Sequence, residues 1–239
     1  MGQDYQDFQD LHDVRRKMII AIDGPSGSGK STLGRMLARA LNLLYVDTGS
    51  MYRAVALAVI EAQIDPNDAE AVTSLANDID IDLEGDPDSL KVLLDGRDIT
   101  EQIRTENVTA VSSIVSSIAG VRRAMVARQR MMGRRGAVLN GRDIGTVVFP
   151  EADVKFFLTA VPEERAERRF KEDQMTSSSS VSLAQTLAEM IARDQRDSTR
   201  VDSPLQIADG AIVIDSTGKT IDEVFELMME KIANVHRNH

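Results

Sequence analysis

The chain of 239 residues is long enough to bury a complete core as one domain. Its formal net charge of −10 argues against a nucleic-acid partner, because neutralising a phosphate backbone needs an excess of Lys and Arg. The chain has no Cys, and its only histidines are His12, His236 and His239. A disulfide framework, a Cys-ligated zinc site and a Ser-His-Asp triad in the body of the chain are therefore excluded.

Residues 1–17 are predicted to form a flexible N-terminal arm. Aspartates recur there at every third position, and residues 1–17 contain no apolar segment of the kind found in signal peptides. No stretch of the chain approaches the roughly 18 consecutive apolar residues that a membrane helix needs. We therefore expect a cytoplasmic protein without a membrane partner.

From Met18 onward, short apolar runs alternate with helical patterns, which predicts an α/β fold with a parallel sheet flanked by helices. The predicted strands cover 18–23, 43–47, 137–139, 154–159 and 211–214. The predicted helices cover 30–41, a segment starting at Ser50 or Met51, 106–117, 121–134, 162–172, 182–197 and 221–233. Capping boxes are predicted at Ser182 with Gln185 and at Thr220 with Glu223.

Two smaller parts are expected within a domain that covers residues 18–239. Short β-like runs at 79–82 and 90–94 flank a turn at 84–87 and predict a small antiparallel insertion, about residues 79–103. A serine tract at 177–180 predicts a linker inside a short lid region, about residues 165–200.

The strongest motif lies between the first strand and the first helix and matches G-x-x-x-x-G-K-[ST]. Its members are Gly24, Pro25, Ser26, Gly27, Ser28, Gly29, Lys30, Ser31 and Thr32. Glycines allow backbone N–H groups to point inward, where they bind phosphates at a helix N-terminus. Lys30 is expected to span the β- and γ-phosphates of ATP, and Ser31 to present its hydroxyl to Mg²⁺. The motif predicts a P-loop NTPase-type sheet that binds a nucleoside triphosphate.

The loop alone leaves the reaction open among a switch GTPase, an ATPase motor and a small-molecule kinase. The guanine-reading sequence Asn-Lys-x-Asp is absent, which disfavours a GTPase. A motor usually needs a longer chain and a partner surface, neither of which the sequence indicates.

Further motifs make the chain similar to the bacterial cytidylate kinases. These motifs are Asp47-Thr48-Gly49-Ser50-Met51-Tyr52-Arg53, Gly141-Arg142-Asp143-Ile144-Gly145-Thr146, Arg193-Asp194-Gln195-Arg196-Asp197 with Arg200, and Ile214-Asp215-Ser216-Thr217. They stand in the order and spacing of that family, and the resemblance runs from about Met18 to the last helix. It implies an NMP-binding role for the insertion and a monomeric kinase.

The resemblance assigns recognition of the cytosine base to Asp143, Arg122 and Ser113. Cytosine offers an amino donor and two acceptors, which suits a carboxylate beside cationic or hydroxyl donors. The alternatives are that Ser113 is an ordinary helix surface residue and that Arg122 is a solvated helix charge.

The resemblance also assigns the acceptor phosphate to Arg53, Arg142 and Arg200, and the pentose to Arg193 and Asp197. Forked guanidinium groups suit a phosphate. Asp47 and Thr48 belong to the same substrate site by resemblance. The alternative for Arg53 is a surface charge, and for the 193–200 group it is a solvent face with salt bridges.

The lid arginines are expected to act on the ATP side of the reaction. Arg165, Arg168 and Arg169 lie on the helix before the serine tract, and Arg168 or Arg169 is predicted to reach the ATP phosphates.

One position departs from the family pattern. The residue before Gly141-Arg142-Asp143 is usually acidic, and an acid there helps to hold Mg²⁺ through water. Here it is Asn140. We expect either that Ser31 and the phosphates hold the metal or that Asp143 or Asp47 compensates.

The expected reaction is transfer of the γ-phosphoryl group of Mg·ATP to CMP or dCMP. Two other classes remain open: a related kinase for another monophosphate or for a small molecule such as shikimate, and a non-enzymatic ATP-binding protein. The catalytic residues predicted for the kinase are Lys30, Arg142, Arg200, Arg168 and Arg169.

Overall fold

The computed structural model describes residues 18–176 and 181–236. The strands are β1 (Ile19–Asp23), β2 (Leu44–Asp47), β3 (Ile81–Glu84), β4 (Lys91–Leu94), β5 (Arg97–Asp98), β6 (Ala137–Gly141), β7 (Val154–Thr159) and β8 (Ile212–Asp215). Five of them form a parallel sheet in the order β2-β6-β1-β7-β8. The predicted α/β class and P-loop type of sheet are confirmed.

The helices are α1 (Lys30–Leu41), α2 (Thr48–Glu61), α3 (Ala69–Asp78), α4 (Glu106–Val115), α5 (Ala119–Gly133), α6 (Pro162–Thr176), α7 (Leu183–Thr199) and α8 (Ile221–His236). A 3₁₀ turn at Gln102–Arg104 and a single π-helical turn at Ile144–Val148 complete the regular structure of the described residues. Both predicted capping boxes are present, since each cap hydroxyl and the side chain three residues later bond reciprocally to backbone N–H groups.

The chain contains two compact units. The first consists of residues 35–140 together with the described residues up to Ile19. In it α2 packs against α4 and α3 packs against α5. Its core includes Met51, Val55, Val72 and Met125, all essentially inaccessible to solvent.

The second unit consists of residues 20–34 and the described residues from Gly141 onward. It contains most of β1, the phosphate loop, β7 and β8, which pair in parallel, and the packed helices α6 and α7. Ile20, Ile22, Phe156 and Leu158 form the buried faces of its strands. Strand β1 is buried on both faces, and such a strand reads as a continuous apolar run, which explains why it was recognisable in the sequence.

The small antiparallel sheet is present, but its first strand begins two residues later than predicted. Helix α3, which the sequence patterns did not predict, ends with the N–H of Ile79 donating to the carbonyl of Leu75. Ile79 therefore belongs to the end of a helix, and β3 pairs with β4 from Ile81 opposite Leu94. The guanidinium of Arg128 donates to the carbonyls of Ala76, Asn77 and Ile79, which satisfies the end of α3.

Several helix boundaries also differ from the prediction, including those of α2, α6 and α7. Helix α2 begins at Thr48 rather than at Ser50 or Met51, because the Asp47 side chain caps it by accepting the N–H of Gly49. Helix α6 continues to Thr176, and α7 ends at Thr199. Arg200 is consequently the C-cap of α7 with extended backbone, whereas Arg193 and Arg196 lie within the helix.

The predicted arm at 1–17 and the predicted linker at 177–180 lie outside the described residues. Within the described residues no single helix combines the length and apolarity needed to span a membrane. The two helices Glu106–Val115 and Ala119–Gly133 meet those criteria only jointly, across a bend of 101°.

Candidate active site

The phosphate loop joins β1 to α1 and depends on two glycines for its shape. Gly24 has φ +148°, and a Cβ atom there would lie 2.1 Å from the carbonyl oxygen of Leu158. Gly27 has φ +70°, and its Cβ would lie 2.7 Å from the carbonyl oxygen of Arg165. Any other residue at these positions would strain the backbone and collide with a neighbouring strand or helix. The loop therefore packs closely against both β7 and α6.

Lys30 is buried at the start of α1, with its side chain folded onto the loop. Nζ donates to the carbonyl of Pro25 at 2.5 Å and to Oγ of Ser28 at 3.3 Å, and Ser28 Oγ also donates to the Pro25 carbonyl. Burial lowers the pKa of Lys30 well below its usual value and Arg142 lowers it further, whereas Asp194 and Asp23 oppose the shift. An anionic ligand beside Nζ would favour the charged form, so the loop is suited to phosphate.

Two side chains from α6 and α7 hold the peptide groups of Ser26 in the loop. Asp194 Oδ1 accepts the N–H of Ser26 at 3.1 Å, and Arg165 Nη1 donates to the Ser26 carbonyl at 2.9 Å. The same Arg165 nitrogen forms an ion pair with Asp194 Oδ2 at 2.5 Å, and Arg165 Nε donates to the carbonyl of Ala160. We call Arg165 and Asp194 the loop brace. It ties two helices to one turn of the phosphate loop.

A second ionic network joins four of the predicted acceptor residues. Arg142 Nε donates to Asp197 Oδ2 at 2.9 Å, and Arg200 Nη1 lies 3.5 Å from Asp197 Oδ1. Arg200 Nη2 lies 4.0 Å from Asp143 Oδ1. Burial raises the pKa of Asp197, but Arg142, Arg193 and Arg200 outweigh this effect and hold the pKa below its usual value. Asp197 therefore stays ionised and orients two guanidinium groups.

Arg168 and Arg169, of which one was predicted to reach the ATP phosphates, pair with protein groups in this structure. Arg168 donates to Oγ and to the carbonyl of Ser216 at the end of β8, and pairs with Glu164 one turn earlier on α6. Arg169 lies 3.7 Å from Glu172 on the same helix. In this arrangement Arg165 contacts the phosphate loop directly, whereas Arg168 contacts the end of β8 and Glu164.

The first unit contains a compact cluster at the start of α2. Asp47 accepts the hydroxyl of Ser50 at 2.8 Å, and Arg53 Nη2 donates to Ser50 Oγ at 3.1 Å and lies 3.5 Å from Asp47 Oδ2. Thr48 Oγ1 donates to the carbonyl of Asn140 at 2.7 Å. Arg53 Nε has no hydrogen-bond partner within the described part of the chain, so the guanidinium keeps a free donor.

Asn140 is placed beside Asp47 by the parallel pairing of β2 with β6, in which the two residues stand opposite each other. Its side chain is buried, and Nδ2 donates to Asp47 Oδ1 at 3.4 Å. An amide at this position adds a donor to the Asp47 carboxylate, whereas a carboxylate would place two negative charges side by side.

Arg122 on α5 is 2% exposed, which excludes the alternative of a solvated helix charge. Its guanidinium carbon lies 5.5 Å from the centre of the Tyr52 ring, and Nη1 donates to the carbonyl of Ser116. Ser113 is half-buried on α4, and its carbonyl accepts the hydroxyl of Ser116. Arg122 and Ser113 are thus both linked to Ser116, at the end of α4.

Sequence reasoning missed several members of these groups. Arg165, Asp194, Asp23, Ser50 and Tyr52 were not predicted as site residues, although Asp194, Ser50 and Tyr52 lie inside the recognised motifs. The signal that could have identified Asp194, Ser50 and Tyr52 is their position beside predicted site residues in the same motifs. Arg165 was grouped with the lid arginines, but its contact with the phosphate loop was not predicted, and no local pattern pointed to Asp23, because the partners of both residues are distant in the chain.

The parallel sheet, the glycine-shaped loop and the buried Lys30 define a protein of the P-loop NTPase class. Comparison with known proteins agrees: the family model described as "Cytidylate kinase" matches residues 20–234. A cytidylate kinase of Syntrophotalea carbinolica is 48% identical over 221 residues, which are 92% of this chain and 94% of the relative. A cytidylate kinase of Desulforamulus reducens is 53% identical over 207 residues, 86% of this chain and 92% of the relative. The chain belongs to the cytidylate kinase family, as its motifs predicted.

A solved structure of an uncharacterized protein from Eubacterium ventriosum is similar in fold. It has a TM-score of 0.54 at 13% identity and covers 91% of this chain and 99% of that one. The likeness supports the fold alone. Membership of the family confirms the prediction of a kinase and excludes the expected alternative of a non-enzymatic ATP-binding protein.

Proposed function

We propose that the protein transfers the γ-phosphoryl group of ATP to the phosphate of CMP and of dCMP. The observation that carries this proposal is the chain's own phosphate loop with buried Lys30, in a second unit that also holds the Arg142–Asp197–Arg200–Asp143 network. A donor cradle and a cluster of cations for an anionic acceptor are what a transfer between two polyanions needs.

The reaction moves one phosphoryl group between two oxygen atoms. An oxygen of the acceptor phosphate forms a bond to the γ-phosphorus, and the bond from that phosphorus to the β-phosphate oxygen breaks, leaving ADP. The acceptor is already anionic at neutral pH, so neither a strong general base nor a covalent enzyme intermediate is required. Positioning and charge stabilisation supply the catalysis.

Donor binding is proposed for the loop from Gly24 to Thr32. Its backbone N–H groups hold the phosphates, and the ammonium of Lys30 spans the β- and γ-phosphates. Arg168 or Arg169 is proposed to reach the transferred phosphoryl group, which requires Arg168 to leave Ser216 and Glu164.

A magnesium ion fits this loop through one protein ligand, the hydroxyl of Ser31. Among residues 18–176 and 181–236, no group of three or more His, Asp or Glu side chains could hold a metal ion. Mg²⁺ usually keeps several waters and binds through few protein ligands plus substrate phosphates, so Ser31 with ATP suffices. When bound, the ion neutralises charge on the β- and γ-phosphates.

Acceptor binding is proposed for the remaining predicted residues. Arg53, Arg142 and Arg200 hold the phosphate of CMP. Arg193 and Asp197 contact the pentose, with Asp47 and Thr48 in the same substrate site. Asp143, Arg122 and Ser113 read the cytosine.

We further propose a monomer that acts in the cytoplasm without nucleic-acid or membrane partners, as the sequence analysis predicted.

The proposal is tested by offering AMP, CMP, UMP, GMP and dCMP to the purified protein with Mg·ATP and measuring ADP formation. CMP and dCMP are expected to give the highest kcat/KM. A preference for AMP or GMP would contradict the assignment, as would ATP hydrolysis that does not depend on the acceptor.

A further inference from the structure

Asp23 is a buried carboxylate that the phosphate-loop motif does not include. It is the last residue of β1, directly before Gly24, and it is 3% exposed. Its Oδ1 accepts the N–H of Ile144 at 2.8 Å, and its Oδ2 accepts the N–H of Gly145 at 2.7 Å. Burying a carboxylate is unfavourable unless it is well hydrogen-bonded, and these two charge-assisted bonds supply that compensation.

The two N–H groups belong to the backbone that immediately follows Asp143. The peptide joining Asp143 to Ile144 contributes its N–H to Asp23, and its carbonyl accepts the N–H groups of Val147 and Val148 at 2.9 and 3.1 Å. Both polar ends of this one peptide group are therefore held. A peptide held at both ends fixes the backbone direction at Asp143, and with it the direction in which that side chain leaves the chain.

The close approach of Asp23 depends on the glycine at position 145. A Cβ atom there would lie 3.2 Å from Cβ of Ala208, 3.3 Å from Cδ of Lys155 and 3.4 Å from Oδ2 of Asp23. A side chain there would have to displace Ala208 or Lys155 by a few tenths of an ångström, or move the Gly145 backbone relative to the carboxylate. Gly145 is thus closely surrounded by Asp23 and by the side chains of Ala208 and Lys155.

We propose that Asp23 is a positioning residue for recognition of the acceptor base: its carboxylate holds the Asp143–Ile144 peptide and so directs Asp143 toward cytosine. This inference rests on the proposed role of Asp143. It assigns to Asp23 a role in choosing the acceptor, although in sequence the residue adjoins the ATP-binding loop.

The negative charge of Asp23 by itself does not stabilise the folded protein. Burial raises its pKa to about 6, and Asp143 adds to this effect, while the two N–H groups and Lys30 lower it. A carboxyl whose pKa is higher in the folded than in the unfolded state makes the protein less stable as the pH rises from about 4 to about 6, and the full cost is present above that range. Loss of the negative charge is therefore not expected to destabilise the protein at pH 8 on electrostatic grounds.

The test compares Asp23→Asn, Asp143→Ala and the double variant with the parent. Asparagine keeps the shape of Asp23 but only one acceptor oxygen. The measurements are kcat/KM for CMP and for UMP at saturating ATP, the KM for ATP, and Tm. Asp209→Asn, an exposed aspartate of the second unit, serves as the matched control.

Asp23→Asn is expected to reduce the preference for CMP over UMP about tenfold or more, since small misplacements of a contacting group cost up to about 100-fold. The KM for ATP is expected to change less than about threefold. Because both residues act through one contact with the base, the double variant is expected to show no larger loss of preference than Asp143→Ala alone.

The outcomes distinguish the proposed base-reading role of Asp143 from the proposed positioning role of Asp23. If Asp143→Ala leaves the preference unchanged, the base-reading role of Asp143 is wrong. If Asp143→Ala removes the preference and Asp23→Asn does not, only the positioning role of Asp23 is wrong. A rise in the KM for ATP without loss of preference would make Asp23 a support of the phosphate loop instead.

Gly145→Ala provides a second variant if Asp23→Asn does not fold. It leaves the carboxylate in place and displaces the Gly145 N–H from it. The same loss of CMP preference is expected, and an unchanged preference in a folded Gly145→Ala protein would overturn the inference.

Discussion

Lys30 shows how one residue type acquires its chemistry from its surroundings. Its ammonium group is enclosed by the loop, where the Pro25 carbonyl and the Ser28 hydroxyl accept its hydrogens. Burial lowers its pKa and nearby Arg142 lowers it further. Phosphate oxygens would replace these neutral acceptors with charged ones, so the residue is prepared for an anion and poorly suited to any other ligand.

Replacement of Lys30 by Ala is expected to reduce kcat by about 10²- to 10³-fold or more, since that is the usual cost of one preorganised group that stabilises transition-state charge. The measurement is ADP formation at saturating CMP. Lys219→Ala, an exposed lysine of the same unit, is the control and should retain parental activity. Near-parental turnover of Lys30→Ala would refute the proposed role of the loop.

Asn140 illustrates the effect of a single neutral side chain. Its amide donates to Asp47, which also accepts from Ser50 and Gly49 and pairs with Arg53. The structure therefore links position 140 to Asp47. A carboxylate at 140 would stand next to that of Asp47, and one of the two pKa values would be raised.

Asn140→Asp is accordingly expected to destabilise the protein more at pH 8 than at pH 5. A pKa raised in the folded state means that stability falls as the pH rises through it. A shift of one to two units corresponds to about 1.4–2.8 kcal/mol, and each kcal/mol lowers Tm by about 2–4 °C in a chain of this size. Thermal unfolding at the two pH values is the measurement.

Asn107→Asp adds the same charge at an exposed site and should show little pH-dependent change. If millimolar Mg²⁺ restores the Tm of Asn140→Asp at pH 8 but not that of Asn107→Asp, position 140 faces the metal site. An equal Tm loss at both pH values would contradict the proposed charge repulsion.

At the scale of elements, α7 contacts both the proposed ATP-binding loop and the arginines proposed for the acceptor. Asp194 braces the phosphate loop at Ser26, and Asp197, one turn later, orients Arg142 and Arg200. Residues three apart lie on the same side of a helix. The Arg-Asp-x-x-Asp motif therefore contains two groups of contacts one helical turn apart. The resemblance implied a role for Asp197 but not for Asp194.

Removal of the ionic part of the loop brace is expected to weaken ATP binding selectively. Asp194→Asn keeps an acceptor for the Ser26 N–H but loses the ion pair with Arg165. The KM for ATP should rise about tenfold, because a buried charge left without its partner costs more than a kcal/mol. Kinetics with ATP varied at saturating CMP, and the converse, separate the two effects.

Arg196→Ala on the exposed side of the same helix is the matched control and should leave both KM values close to parental. A lower Tm for Asp194→Asn with an unchanged KM for ATP would make the brace a purely structural contact.

At the scale of the whole molecule, each of the two compact units contains its own group of predicted site residues. Arg142, Asp143, Arg193, Asp197 and Arg200 belong to the second unit, and the residues around Asp47 and Arg122 belong to the first. Each unit has its own buried core, so each can orient its own group of side chains. The net charge of −10 places no general barrier to an anionic substrate, because these arginines act locally.

The protein is expected to sediment as a monomer of 26.3 kDa, as its resemblance to the cytidylate kinases implies. Sedimentation velocity at micromolar concentration, with and without Mg·ATP and CMP, is the measurement. A species of twice that mass in either condition would contradict the expectation.

The sequence by itself determined the class of fold, the phosphate loop and the family. Continuous apolar runs identify buried parallel strands, and the fixed spacing of glycines, Lys30 and Ser31 predicts local backbone geometry, so both are readable along the chain. The missed helix α3 and the shifted β3 had weaker local signals. Helix α3 has few buried positions, and its end overlaps an apolar residue that also suited a strand.

Only the tertiary structure decided which side chains support those that the motifs identify. Asp23 and Ile144 are 121 residues apart, and Ser26 and Asp194 are 168 apart. Contacts at such separations leave no periodicity in the sequence, because they depend on how strands and helices pack. The packing of strands and helices also places the neutral Asn140 beside Asp47 and buries Arg122.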